Sequence, residues 1–196
     1  MIIPAPLFPG ATVALVAPAS AVPEDRLQKA VTFVRSLNLN PVVYPSCYFS
    51  SRHGYFAATD TQRAKDIMDA FMNPEIHGIW CIRGGYGCHR ILPLLDGSII
   101  RSNPKWFGGY SDVTALHTFF NQTWDLESYH CIMPSREPDA DEFSLIWLKK
   151  ALFGGFKLLT RELELVVFRR LRGGFKVDFF GFLEAVFNRH CALDET

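Results

Sequence analysis

Long apolar runs are missing from this chain. Thr12–Ala17 reads Thr-Val-Ala-Leu-Val-Ala and stops at Pro18, too short for a membrane span or for the core of a secretory signal. Met1–Gly10 holds three prolines and neither lysine nor arginine, so it lacks the charged start of a signal peptide, and the expected compartment is the cytoplasm. Excess charge of either sign is lacking too. Twenty Lys and Arg balance twenty Asp and Glu, which argues against a nucleic-acid or anionic-membrane surface and favours a small or zwitterionic partner. The five cysteines contain no Cys-x-x-Cys pair and read as reduced, buried thiols. The six histidines contain no His-x-x-x-His and no accompanying carboxylate pair, so no metal site is expected. Neither Gly-x-Gly-x-x-Gly nor a P-loop occurs, which leaves no cofactor motif. Proline is absent after Pro138, whereas eight of the seventeen phenylalanines fall in the final 46 residues.

What is present, 48% hydrophobic and 20% charged over 196 residues, is the composition of a globular chain with a real core. Thr12–Ala17 is a β-prone run of the kind buried on both faces of a parallel sheet. Glu24–Leu37 carries Leu27, Ala30, Val31, Val34 and Leu37 at helical spacing with acidic residues in its first turn. Pro41–Tyr44 completes a β-α-β unit. Asp60 is the expected N-cap of a helix over Thr61–Met72, and Gly78–Ile82 is a third buried strand. Further helices are expected over Cys88–Leu95, Asp112–Gln122 and Phe143–Phe153, with Asp96-Gly97 as a turn and a strand over Ser128–Ile132. The alternation predicts an α/β fold, a mainly parallel sheet flanked by helices, over residues 1–155. Residues 156–196, with a strand expected at Glu162–Phe168 and a strand or helix at Phe179–Phe187, are too short for a second complete domain. That Phe-rich segment is expected to cover an exposed apolar flank or to drive self-association, as in a homodimer.

Three loops at the C-terminal ends of strands attract attention, because ligands bind there in such sheets. The first is Ala19–Pro23 and the second is Arg83-Gly84-Gly85-Tyr86-Gly87, whose backbone N–H groups suit an anion and whose Arg83 suits a carboxylate. The plainer alternative for the second loop is a tight turn with Arg83 in a structural ion pair. The third is Trp106–His117, where an apolar run ends in Gly108-Gly109 and Ser111 follows at a strand-to-helix turn. Such an elbow exposes a serine hydroxyl beside a helix N-terminus, although Val113 stands where the usual pattern has its second glycine. Ser111 is therefore either a nucleophile or, like Asp112, a helix cap. A nucleophile needs a base. His117 lies well over a turn from Ser111 and is expected to pack elsewhere, while His130 is a better candidate for the pocket that is still more simply read as structural.

Gly78–Gly87, Arg90–Asp96 and Gly109–His117, together with Gly10–Ser20, resemble the LD-carboxypeptidases over residues 5–155. These are serine peptidases that remove the terminal D-alanine of murein tetrapeptides, and their relatives include the microcin C immunity peptidase. The resemblance implies Ser111 as nucleophile, the Asp112 and Gly85 N–H groups as oxyanion hole, and Arg83, Gly84 and Tyr86 as substrate-binding residues. It also implies a small murein peptide as partner and no cofactor. In that family the glutamate and histidine of a Ser-His-Glu triad come from a longer C-terminal domain. Here Phe182-Leu183-Glu184-Ala185-Val186 echoes the segment around that glutamate, but His190 follows Glu184 too closely, and His130-Cys131-Ile132-Met133 departs from the family's His-Gly-Pro-Met. The expectation is a nucleophile domain with weak or no activity by itself, or alternatively a non-catalytic peptide-binding module.

Overall fold

The first strand, β1 (Thr12–Val16), shows why the sheet is covered on both sides. Val13 and Leu15 join a core formed with helix α1 (Glu24–Ser36), while Ala14 and Val16 join a second core on the opposite face. Side chains alternate across a strand, so a run apolar at every position needs helices above and below it. This computed structural model describes residues 2–48, 54–135 and 142–154, together with the backbone of 166–168. After α1 the chain forms β2 (Asn40–Val43), α2 (Asp60–Met72), β3 (Gly78–Cys81), α3 (Cys88–Ile91) and α4 (Gly97–Ser102). It continues through β4 (Trp106–Gly109), α5 (Thr114–Trp124), β5 (Ser128–His130), α6 (Glu142–Leu152) and β6 (Val166–Phe168).

The strand order is β2-β1-β3-β4-β5-β6, parallel throughout except for β6, which runs antiparallel to β5. The chain thus steps outward from β1 to β2, then crosses back over β1 to reach β3. Right-handed crossovers require the covering helix to change faces when the direction reverses. It does: α1 packs with Val13, Leu15 and Trp80, whereas α2 and α5 pack with Ile79, Cys81 and Phe107 on the other side. The point of reversal, between β1 and β3, opens a crevice at the strands' C-terminal ends. No helix among the described residues is long and apolar enough to cross a membrane.

The α/β fold with a mainly parallel sheet matches expectation, and the local differences have physical causes. The N-cap of α2 is Thr59, whose side-chain oxygen accepts the Gln62 N–H at 3.2 Å; Asp60 lies inside the first turn and its carboxylate is engaged by Arg63 and Arg90 instead. Asp96-Gly97 is not a bare turn, because Asp96 accepts the Ser98 N–H at 2.8 Å and starts α4. The expected Cys88–Leu95 helix ends at Ile91 and gives way to a 3-10 turn over Leu92–Leu94, since Pro93 offers no N–H to continue an α-helical ladder. Of the tail, Val166–Phe168 is the described strand; the rest of Glu162–Phe168, and Phe179–Phe187, lie outside the described residues.

Candidate active site

At the end of β4 the backbone passes through an extended Tyr110 and then places Ser111 at φ +62°, in the left-handed region. That conformation costs an ordinary L-residue about 1–2 kcal/mol and is held only where the surroundings impose it. Ser111–Val113 form one 3-10 turn that feeds α5. Neither turn nor helix receives a side-chain cap from Ser111, whose hydroxyl is exposed and has no hydrogen-bond partner among the described residues. Asp112 does cap, but on another element: its Oδ2 accepts the Cys88 N–H of α3 at 2.8 Å and so ties the glycine-rich loop to the elbow.

The elbow is anchored from beneath. The Gly109 carbonyl accepts the Cys131 N–H at 3.0 Å and faces His117 Nε2 at 2.9 Å, while His117 Nδ1 meets the Ser128 hydroxyl at 2.8 Å. A carbonyl can only accept, so Nε2 carries the ring proton and the Ser128 hydroxyl donates to Nδ1. Burial pushes His117 down to about 3, which keeps it neutral. His117 is therefore packed beneath the elbow, as expected of a residue pointing away from Ser111.

The glycine-rich loop closes the other side. A side chain at Gly84 would meet Ser111 Cβ at 3.0 Å and Ser111 Oγ at 3.2 Å, so the absence of one is what lets this backbone lie against the serine. Gly85 follows at φ +110°. The Gly84 carbonyl accepts from both the N–H (3.2 Å) and the hydroxyl (2.5 Å) of Ser20, in the loop after β1. Because the two ends of a trans peptide point in opposite directions, the Gly85 N–H is directed away from Ser20. Arg83 donates its Nε–H to the same Ser20 hydroxyl at 3.2 Å and meets no carboxylate among the described residues, so the structural ion pair raised as an alternative is not formed there.

Behind these loops lies Arg63, fully buried on α2. Its guanidinium donates to the carbonyls of Pro18, Ala58 (3.2 Å) and Gly87 (3.0 Å) and pairs with Asp60. It thereby joins the loop after β1, the start of α2 and the glycine-rich loop. Asp60 also receives Arg90, whose hydrogen bond holds the Asp60 carboxyl below its usual range. Both guanidiniums stack on Phe56, at 5.1 and 5.0 Å from its centroid.

Together Ile82, Arg83, Gly84, Gly85, Tyr110, Ser111, Met133 and Ser135 line a cavity of about 160 Å³. Of the residues expected to bind substrate, Arg83 and Gly84 line it. Tyr86 does not: it stands outside, exposed, with its ring 4.7 Å from that of His89. His130, the better histidine candidate for the pocket, does not line the cavity either. Its ring packs at 6.2 Å from Tyr110 and 6.1 Å from His117, and burial lowers its pKa. No histidine or carboxylate is among the described lining residues. Glu184 and His190 lie outside the described residues. No group of metal-ligating side chains occurs among the described residues.

Sequence reasoning passed over Ser20 as an individual residue and Arg63, and it weighed Asp112 as a cap of its own helix, whereas its carboxylate caps the helix that begins at Cys88. The signal for Arg63 was present, because it shares the buried face of α2 with Ile67 and Ala70 at helical spacing. An arginine there must find buried acceptors.

A family model described as the LD-carboxypeptidase N-terminal domain matches residues 13–131, more than half of the chain. The chain is 39% identical over 112 residues to the murein tetrapeptide carboxypeptidase of Pseudomonas aeruginosa, covering 56% of this chain and 36% of that protein. It is 36% identical over 139 residues to a Bacillus subtilis protein named as a probable murein peptide carboxypeptidase, covering 71% and 43%. In structure it is similar to an MccF-like protein from Bacillus anthracis, with a TM-score of 0.70 and 25% identity, covering 78% of this chain and 47% of that one. The chain thus spans less than half the length of these relatives. A strained serine at a strand-to-helix elbow, a glycine loop against it and a match over both place this chain in the LD-carboxypeptidase family, whose N-terminal domain it carries.

Proposed function

We propose that this chain is the nucleophile domain of a cytoplasmic serine LD-carboxypeptidase that cleaves the terminal D-alanine from murein tetrapeptides. The observation that carries the reading is Ser111 at φ +62°, its hydroxyl unpartnered among the described residues, lying close against the Gly84 backbone in the wall of a cavity. Ser111 Oγ adds to the scissile carbonyl and its proton passes to a general base. The oxyanion takes hydrogen bonds from the N–H groups of Asp112 and Gly85, the first because the opening N–H groups of a helical turn lack intrahelical acceptors. D-alanine leaves as the amine after accepting a proton, and water then hydrolyses the acyl-serine to regenerate the hydroxyl. Arg83 suits the substrate's terminal carboxylate, with a guanidinium fork that no described carboxylate occupies.

No histidine or carboxylate is among the described residues of the cavity wall, and on this reading the triad's histidine and carboxylate are supplied from outside it. Without them the chain has weak or no turnover, because loss of a triad base costs about 10³-fold or more. The absence of a histidine or carboxylate from the described residues of the wall also favours a second reading, in which the domain binds a peptide and does not cut it.

The test combines a fluorophosphonate probe, followed by intact mass and peptide mapping, with release of D-alanine from L-Ala-γ-D-Glu-meso-diaminopimelyl-D-Ala. Slow adduct formation at Ser111, abolished in Ser111→Ala, is expected, with D-alanine release weak or at the level of that variant. An inert Ser111 in a protein that still binds the tetrapeptide would replace the enzyme reading by the binding module. An inert Ser111 with no peptide binding would overturn both.

A further inference from the structure

The loop after β1 contributes no atom to the cavity wall, yet one of its side chains touches two of the groups proposed to meet the substrate. Ser20 is buried, and its single hydroxyl is used in both directions. It donates to the Gly84 carbonyl at 2.5 Å and accepts the Arg83 Nε–H at 3.2 Å. The Ser20 N–H adds a second donor to the same carbonyl at 3.2 Å. Fixing the Gly84 carbonyl fixes the whole Gly84–Gly85 peptide plane, and with it the direction of the Gly85 N–H. Holding Arg83 through Nε leaves its two terminal nitrogens free to form a fork towards an anion.

The surroundings leave Ser20 little room to do otherwise. A side chain at Gly85 would come within 2.6 Å of Ser20 Oγ and 2.5 Å of the Tyr55 hydroxyl, so the glycine backbone lies flush against this serine. Ser20 is itself clamped by an antiparallel bridge to Phe56 and by the Ala21 N–H bond to the Tyr55 carbonyl at 3.1 Å. Beside it, Arg63 draws the carbonyls of Pro18 and Gly87 to one guanidinium. The hydroxyl thus sits in a rigid seat between two anion-facing donors.

We propose that Ser20 is a positioning residue that sets the oxyanion-facing N–H of Gly85 and the carboxylate-facing guanidinium of Arg83 together, through one hydroxyl. This rests on the reading of Ser111 and its cavity as a peptidase site. Removing the hydroxyl uncouples both donors at once, so the variant loses discrimination for a terminal carboxylate as well as the Gly85 orientation. A purely structural serine would change stability and leave that discrimination intact.

The experiment measures affinity of the full chain for the L-Ala-γ-D-Glu-meso-diaminopimelyl-D-Ala tetrapeptide and for its C-terminal carboxamide, by calorimetry, in the wild type, Ser20→Ala, Ser20→Cys and Ser20→Thr. The same proteins, labelled with nitrogen-15, give the exchange rates of the Gly85 amide and the Arg83 Nε–H without any ligand. Ser20→Ala is expected to reduce the acid-to-amide affinity ratio by roughly tenfold, to speed exchange of the Arg83 Nε–H and to shift the Gly85 amide resonance. Ser20→Thr, which keeps the hydroxyl, restores all three. Ser20→Cys keeps the volume but weakens both hydrogen bonds, and reproduces the loss should the alanine variant fail to fold. An unchanged acid-to-amide ratio in a folded Ser20→Ala or Ser20→Cys protein overturns the proposal, as does failure of Ser20→Thr to restore it. Where the wild type binds neither peptide, the peptidase reading fails, and the proposal then stands or falls on whether loss of the hydroxyl alters the Arg83 Nε–H and Gly85 signals.

Discussion

His117 makes a quantitative test of the elbow's foundation. Its ring lies wholly buried between the Gly109 carbonyl and the Ser128 hydroxyl, edge-on to Phe107 at 5.5 Å and tilted against His130 at 6.1 Å. Burial lowers its pKa to about 3, against about 6.5 for an unfolded histidine. The folded-state value is the depressed one, so below about pH 6.5 the unfolded chain binds a proton that the native ring refuses. The group's contribution to stability is therefore complete above pH 6.5 and is lost progressively as pH falls towards 3. With these two pKa values the linkage relation gives a loss of about 0.7 kcal/mol between pH 7 and 6 and about 1.2 kcal/mol more by pH 5. Chemical denaturation at pH 7, 6 and 5 of the wild type and of His117→Gln measures it. Glutamine offers an N–H to Gly109 and an oxygen to Ser128 without titrating, and the remaining histidines and carboxylates titrate in both proteins. The wild type should lose about 2 kcal/mol more than the variant over this range. Equal losses would refute a neutral, buried His117 beneath Ser111.

Two further substitutions probe strain and buried charge. Ser111→Gly relieves the positive φ and should be more stable than Ser111→Ala by about 1 kcal/mol in denaturant unfolding, while both abolish fluorophosphonate labelling; an alanine variant as stable as the glycine one would mean that the elbow stores no strain. Arg63→Met leaves the carbonyls of Pro18, Ala58 and Gly87 and the Asp60 carboxylate without their shared partner, and should destabilise the chain by about 3–5 kcal/mol. A loss under 1 kcal/mol in that variant would show that water or a shifted side chain satisfies those groups equally well.

The central strands were readable in the sequence because they carry near-continuous apolar runs, which a doubly covered parallel sheet buries, whereas the edge strand Asn40–Val43 stays partly exposed. Thr12–Val16 and Gly78–Cys81 illustrate this, with both of their faces packed. The elbow was readable from Gly108-Gly109 and Ser111, and the loop against it from Gly84-Gly85. Helix beginnings were less so, since Thr59 and Asp60 are both good caps and only the placement of Arg63 and Arg90 draws Asp60 into an ion-pair cluster. The same holds for Asp112, whose cap falls on Cys88, far away in sequence. Such pairings depend on which loops the fold brings together, and local patterns do not carry that information.

That dependence also explains how labour is divided within the site. The loops after β1, β3 and β4 are joined by Ser20, Asp112 and Arg63, so the strained serine and the donors facing it are set by contacts inside this domain. Among these contacts the one carboxylate, that of Asp112, is engaged by the Cys88 N–H, and no histidine or carboxylate is among the described residues lining the cavity. On the proposed reading, orientation of the electrophile and the anion is built locally, whereas proton transfer is supplied from outside the described cavity wall. A domain organised in this way should bind a peptide carboxylate independently of the base, with catalysis following only when the base is supplied. On that reading, peptide affinity retained without turnover, and turnover gained when a base is supplied in trans, are linked consequences of one architecture.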